Sequence, residues 1–186
     1  STLINEGVNV LCFNQRSISE ILNVIEFIGR IVNLQEKTEQ YLKDINSNLD
    51  NIGLSSKNLK NNPKVFFEEW DDPIITGIKW VSELVEIAGG IDIFKNHSSK
   101  PNAKDRIIKN SDQVVNANPD IIFASWCGKK LNKDKIIKRN NWHKINAVKN
   151  NDIYEIKSPL ILQPGPAALT DGVNEIHTII KNWNSN

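Results

Sequence analysis

Apolar and polar positions alternate over the valine-rich stretch Gly7 to Phe13, and that period of two predicts a β-strand. From Ser17 the period lengthens. Ile18, Ile21, Leu22, Ile25 and Ile28 recur at helical spacing and predict a buried helix running to about Gly29. Ser17 and Glu20 stand at capping-box distance, so the hydroxyl and the carboxylate can serve each other's orphan backbone donors. A polar segment from Gln35 to about Leu59 follows, with Tyr41, Ile45, Leu49 and Ile52 on a narrow apolar stripe. At about 1.5 Å per residue this helix would extend roughly 37 Å. Asn46, Ser47, Asn48 and Gly53 weaken it and leave its far end open. A long helix with so thin a stripe suits a strut between two lobes.

Beyond Pro63 the pattern becomes strand and helix in alternation. Lys64 to Phe67 reads as a short apolar strand, and Glu68-Glu69-Trp70-Asp71-Asp72-Pro73 as an acidic, aromatic loop after it. Trp80, Leu84 and Ile87 carry a helix that stops at Gly89-Gly90. Asn110 or Ser111 can cap a short helix ending at Asn118-Pro119. Ile121 to Ala124 is a buried strand, Leu131 to Arg139 a basic helix, and Ile153 to Ile156 another strand. Pro166 sits where a last helix can start, with Val173, Ile176, Ile179 and Ile180 as its apolar face. The alternation predicts an α/β lobe with a largely parallel sheet. The strand at Gly7–Phe13 has no evident partners, so the lobe it belongs to is expected to be incomplete.

Composition narrows the function classes. The 186 residues are 39% hydrophobic, too apolar for a disordered chain, and long enough for one large domain or two small lobes. Twenty-three basic residues against 22 acidic give a formal net charge of +1, no bulk attraction for nucleic acid or an anionic membrane. No apolar run reaches the length of a membrane span. Cys12 and Cys127 are far apart in sequence, so neither a disulfide framework nor a metal cluster is supported. Phosphate-binding glycine loops, a serine-nucleophile elbow and a paired-histidine helix are all absent. No enzyme activity, cofactor or metal is expected.

Four stretches in register carry a resemblance. They are Glu69-Trp70-Asp71-Asp72-Pro73 with Gly77 and Trp80 to Gly90; Asn118 to Ile122 with Cys127-Gly128; Trp142, Ala147-Val148 and Ile153-Tyr154; and Pro164-Gly165-Pro166 with Leu169 and Asp171-Gly172. Together they resemble the cobalamin-binding branch of the periplasmic binding proteins that feed metal-chelate ABC importers. The resemblance implies an α/β, two-lobed periplasmic binding protein fold, its lobes joined by one long helix and its N-terminal lobe here incomplete. On that template residues 1–34 are the remainder of the N-terminal lobe, 35–62 the interlobe helix and linker, 63–165 the C-terminal lobe, and 166–186 the C-terminal helix. It further implies a periplasmic or otherwise extracytoplasmic protein that holds cobalamin or a related corrinoid in the interlobe cleft and hands it to an ABC transporter permease. Iron–siderophore or haem binding is the nearest alternative, and a sensory or interaction module on the same fold is another.

The resemblance also marks residues. Trp70 is expected to meet the ligand, an indole offering area to a broad apolar disc, or else to lie under its own loop. Asp72 would accept from a ligand amide or cap the following helix. Ile75 is similar to a position that meets the ligand, with core packing as the alternative; Leu160 stands in an apolar loop that ligand or the other lobe would cover, and Gln163 would offer both a donor and an acceptor. Trp126 ends a buried strand, where binding residues gather in open α/β sheets, with simple packing as the alternative. Asp112 falls where the family docks an acidic residue onto permease arginines, with a favourable place at a helix N-terminus as the alternative. Cys127 is expected to be a small buried residue, and the lysines around it a solvated helix face. One departure stands out: the family commonly carries an arginine after Pro-Gly-Pro, and this chain has Ala167-Ala168.

Overall fold

The computed structural model describes residues 2–185. Four residues of α1 (Thr2–Asn5) lead into an irregular stretch, and Ser17 then opens α2 (Ile18–Ile31). The capping box forms: the Ser17 hydroxyl accepts from Glu20 N–H, and Glu20 reaches back to the Ser17 N–H. The strut, α3, runs Gln35–Ser56 without a break at its asparagines or Gly53. Burial of Ile45, Leu49 and Ile52 on one side outweighs their weak helix propensity.

The remaining chain alternates as β1 (Lys64–Asp71), β2 (Ile74–Thr76), α4 (Lys79–Ile87), β3 (Ile91–Asp92), α5 (Lys95–Ser98), α6 (Asp112–Ala117) and β4 (Ile121–Ala124). After these come α7 (Lys133–Ile137), α8 (Asn146–Lys149), β5 (Ile153–Glu155), α9 (Ser158–Ile161), a π-helical turn at Ala168–Gly172, and α10 (Val173–Asn184). Parallel pairing joins β1 to β4 and β4 to β5, while β2 and β3 share the other edge of β1. β2 is antiparallel, a hairpin return.

Both faces of this sheet are covered, which is why its strands read as continuous apolar runs. Val65, Phe67, Ile121 and Phe123 point into one core with α2, α3, α4 and α10. Phe66, Ile122 and Ala124 point into the other, with Trp126, Ile136, Trp142 and Ile145. α4 ends as expected at Gly89, whose φ of +100° suits glycine and whose N–H returns to Glu86 C=O. The strut lies along the first core rather than standing clear of it. Asn48 donates to Leu169 C=O at 3.3 Å, and His177 Nε2 meets Ser55 Oγ at 3.0 Å.

Three sequence expectations are corrected. Gly7–Phe13 is not a strand: among the described residues no neighbour pairs with it, and Val8, Val10, Leu11 and Phe13 are exposed. Alternation alone leaves the backbone donors of a lone strand unserved, so the stretch stays irregular. The acidic loop after Phe67 is largely strand, because β2 pairs with β1 as far as Asp71 and only Asp72-Pro73 turns. The basic helix is shorter than Leu131–Arg139, since the Asn132 side chain caps it by accepting from Asp134 N–H.

Candidate functional site

The carboxyl ends of β1, β4 and β5 lie on one edge of the sheet, where open α/β folds bind ligands. Hydrophobic strands end there in polar residues. β1 delivers Glu68, Glu69, Trp70 and Asp71; β4 leads into Ser125 and Trp126; β5 leads into α9, which holds Leu160, and the turn that holds Gln163.

Under this edge sits a charge network that the sequence did not reveal. Glu68 is fully buried, and Arg139 Nη2 donates to its Oε1 at 3.0 Å and to Asp71 C=O at 3.1 Å. Arg139 Nη1 binds the second Glu68 oxygen, making a bidentate pair. The Trp126 indole N–H donates to Glu68 at 3.0 Å, and the Arg139 guanidinium stacks 4.5 Å from the Trp142 ring centroid. Burial pushes the Glu68 carboxyl above its ordinary value against the opposing pull of Arg139. Asp71 accepts from Lys135 Nζ at 3.0 Å and Lys129 Nζ at 3.2 Å. Burial opposes its charge too, but these two hydrogen bonds prevail and hold the carboxyl below its ordinary range. The basic cluster is therefore not simply a solvated face: Lys129, Lys135 and Arg139 neutralise acids that enter the core at the end of β1.

The residues marked by sequence divide between this network and the surface. Trp70 is half-buried beside the network; its indole N–H donates to Asp72 C=O at 2.9 Å and Lys129 Nζ lies 3.8 Å from its ring centroid. Asp72 is exposed in the hairpin turn, and β2 follows it, so it caps no helix. Ile75 pairs with Trp70 across that hairpin and bridges to Ile107. Trp126 is only 4% exposed, packed in the second core. Leu160 is half-buried in α9 and Gln163 exposed beyond it. Asp112 is exposed at the first turn of α6, where its own N–H is held by Asn110 Oδ1 at 2.9 Å. Contrary to the expected burial, Cys127 is exposed, because Trp126 turns inward and sends the next residue out; Cys12 is exposed as well. Trp70, Asp72 and Ile75 share one hairpin; Leu160 and Gln163 belong to a separate segment, α9 and the turn after it.

Two cavities open along this edge. One of about 320 Å³ is lined by Lys129, Lys130, Lys157 and Glu155 among others. The other, about 390 Å³, is walled by Ile78, Trp80 and Leu162 and carries Arg16, Glu69 and Arg106. None of the six sequence-marked ligand residues lines either one. A larger groove of about 670 Å³ between α2, α3 and α4 has an apolar floor of Ile18, Leu22 and Ile87, and it too holds none of the six. Trp80 ties the second cavity together: its N–H bonds Arg16 C=O at 3.0 Å and its indole N–H bonds Ile161 C=O at 2.9 Å. The arginines escaped sequence reading because no spacing links Arg16 to a residue ninety positions on. Among the described residues no cluster of histidine, cysteine or acidic side chains is placed to hold a metal ion. No helix among them is long and apolar enough to cross a membrane.

Comparison with known proteins agrees with this fold. Residues 1–160 match the family model described as periplasmic binding protein. An uncharacterised ABC transporter substrate-binding lipoprotein of Bacillus subtilis, YvrC, is 29% identical over 94% of this chain and 54% of its own length. The high-affinity haem uptake protein IsdE of Staphylococcus aureus is 29% identical over 62% of this chain and 42% of its own. The chain thus spans about half the length of these curated relatives. In solved structures the haem complex of IsdE superposes with a TM-score of 0.79 at 20% identity, over 96% of this chain and 70% of that one. The vitamin B12 binding protein BtuF of Vibrio cholerae gives 0.71 at 21% identity, over 100% of this chain and 69% of its own. These likenesses show a common fold.

Proposed function

The chain belongs to the periplasmic binding protein family, and from that premise we propose that it is the ligand-capturing component of an ABC importer for a metal chelate. It binds outside the cytoplasm, performs no covalent chemistry, and delivers its ligand to a membrane permease. Residues 1–34 then belong to the N-terminal lobe, 35–62 to the connecting helix and linker, 63–165 to the C-terminal lobe, and 166–186 to its closing helix. The observation that carries this reading is the sheet edge itself: the Trp70 hairpin and the Leu160–Gln163 segment both follow the carboxyl ends of parallel strands, where open α/β folds bind ligands.

Cobalamin or a related corrinoid is supported by the Glu69-Trp70-Asp71-Asp72-Pro73 motif and its ordered companions. In that reading Trp70, Asp72, Ile75, Leu160 and Gln163 face the ligand after the lobes close, Trp126 backs them from the second core, and Asp112 docks on the permease. Haem or an iron siderophore is the second reading. The observation in its favour is Arg16 on one cavity beside the Arg106–Glu69 ion pair, since an uncharged corrinoid edge has less need of a cation. Equilibrium dialysis of the full chain with cyanocobalamin and with haemin tests the proposal. Saturable micromolar binding of either supports chelate capture and selects the ligand; retention of neither overturns it.

A further inference from the structure

Between α5 and α6 the chain follows a path fixed from inside. Arg106 is 2% exposed; its Nη1 and Nη2 donate to the two Glu69 oxygens at 2.6 and 3.1 Å, and Nη1 also serves Thr76 C=O. Ile108 is buried as well, and its N–H donates to Ile74 C=O at 2.9 Å. With Arg106 and Ile108 turned inward, Asp105 and Lys109 are left exposed beside them. The turn before them is closed by Asn102 Nδ2, which donates to Asp105 Oδ2 at 3.0 Å, and by Lys100 N–H on His97 C=O at 3.0 Å. His97 is half-buried, its ring edge-on to Phe94 with centroids 5.4 Å apart. The backbone of this segment is thus held in place whatever its surface side chains do.

A cavity of about 390 Å³ opens against the segment, and it shares only Pro101 with the cavity that holds Trp80. Lys100, Lys104 and Lys109 line it, together with His97, Asp105 and Gln113. Among the described residues none of the three ammonium groups pairs with a carboxylate, although Asp105 shares the cavity. Three lysines against one aspartate leave a formal +2 there with His97 neutral, on a chain whose total is +1. The basic cluster at the end of β1 differs, because Asp71 and Glu68 match Lys129, Lys135 and Arg139. Charges of one sign around a concavity focus their field into it, whereas lysines on a convex face act singly.

The residue types give the class of anion. An arginine fork suits a planar carboxylate, and the one arginine of this segment is turned inward and spent on Glu69. Ammonium groups are point charges on flexible stems, which can gather round a tetrahedral phosphate from several sides. His97 and Gln113 add a ring nitrogen and an amide to the same wall. We propose that the cavity of Lys100, Lys104 and Lys109 is a binding site for a phosphate-bearing anion. It goes beyond chelate capture and does not rest on it, since none of the residues marked for the chelate lines this cavity.

The test titrates the full chain at low salt with inorganic pyrophosphate, with citrate, and with vesicles of phosphatidylglycerol or, as a neutral control, phosphatidylcholine. Lys104→Gln with Lys109→Gln is the site variant; Lys149→Gln with Lys181→Gln makes the same charge change on exposed positions elsewhere. The site variant is expected to weaken pyrophosphate binding about tenfold, and the control variant by less than about twofold, the scale of two screened ion pairs against a change of net charge. Without anion both variants keep the parent's melting temperature, because the exchanged lysines hold no ion pair. Pyrophosphate binding that follows this pattern, with phosphatidylglycerol vesicles leaving the protein in solution, supports the site and makes a free phosphoanion its ligand. Sedimentation with phosphatidylglycerol but not phosphatidylcholine, abolished in the site variant alone, supports it and makes a lipid headgroup the source. The proposal is overturned if neither pyrophosphate nor phosphatidylglycerol binds, if the two variants weaken binding equally, or if citrate binds as tightly as pyrophosphate.

Discussion

β1 and the stretch Gly7–Phe13 have similar sequences and opposite fates. Each carries valine and phenylalanine in a short apolar run, yet Phe66 is fully buried between two layers of helices while Phe13 is 42% exposed. The difference lies in their neighbours. β1 has β4 on one edge and β2 and β3 on the other, so its backbone donors are served and its side chains covered. Among the described residues the N-terminal stretch bonds its own first turn, where Val8 N–H donates to Leu3 C=O, and Phe13 makes an edge contact with Phe27 at 5.6 Å. Strand propensity is a fit to a sheet, and without a sheet it has no expression.

Removing apolar volume from each region sharpens that contrast most. Phe66→Ala is expected to cost about 3–5 kcal/mol by transfer and cavity terms, while Phe13→Ala stays within about 0.5 kcal/mol. Urea unfolding of both variants checks this, and comparable losses would show that the N-terminal stretch is packed after all. Next comes the buried ion pair. Arg139→Ala strands the Glu68 carboxylate in the core and is expected to cost about 3 kcal/mol. Replacing both partners with apolar residues, Arg139→Met with Glu68→Leu, is expected to recover most of it, because the loss comes from an unpaired charge. A double variant as unstable as the single one would break this account.

The smallest effect is one of pH. The Asp71 carboxyl is held below its ordinary value, so its contribution is complete above the unfolded carboxylate range near 3.8 and is lost as pH falls through the lower folded value. Its partners Lys129 and Lys135 are half exposed, which limits the contribution to less than about 1 kcal/mol and makes it salt-sensitive. Asp71→Asn is expected to flatten that part of the acid limb in a pH series of thermal melts. An unchanged acid limb would place the dependence elsewhere.

What was legible in the sequence was local. The capping box at Ser17 and Glu20, the glycine stop after α4, and the runs of β1, β4 and β5 all follow from short-range chemistry. The second half of β1 was not legible, because Glu68 and Asp71 read as loop residues until their cations are known. Arg139 lies 71 positions from Glu68, and Lys135 lies 64 from Asp71, so no spacing rule connects them. Trp126 shows the same limit. A tryptophan at the end of a strand suits a ligand or a core equally, and only the Glu68 acceptor reveals why its N–H points inward. Arg16 and Arg106 come together through tertiary contact alone.

The central claim is that the carboxyl edge of the sheet receives a metal chelate. Hydrogen exchange of the full chain, with and without saturating cyanocobalamin or haemin, tests it most directly. The account predicts slowed exchange in the Asp72–Ile75 hairpin, in residues 157–165 and around Arg16. Slowing confined to the opposite edge, at Asn118–Asp120 and Asn150–Asp152, or absent with both chelates, would contradict it.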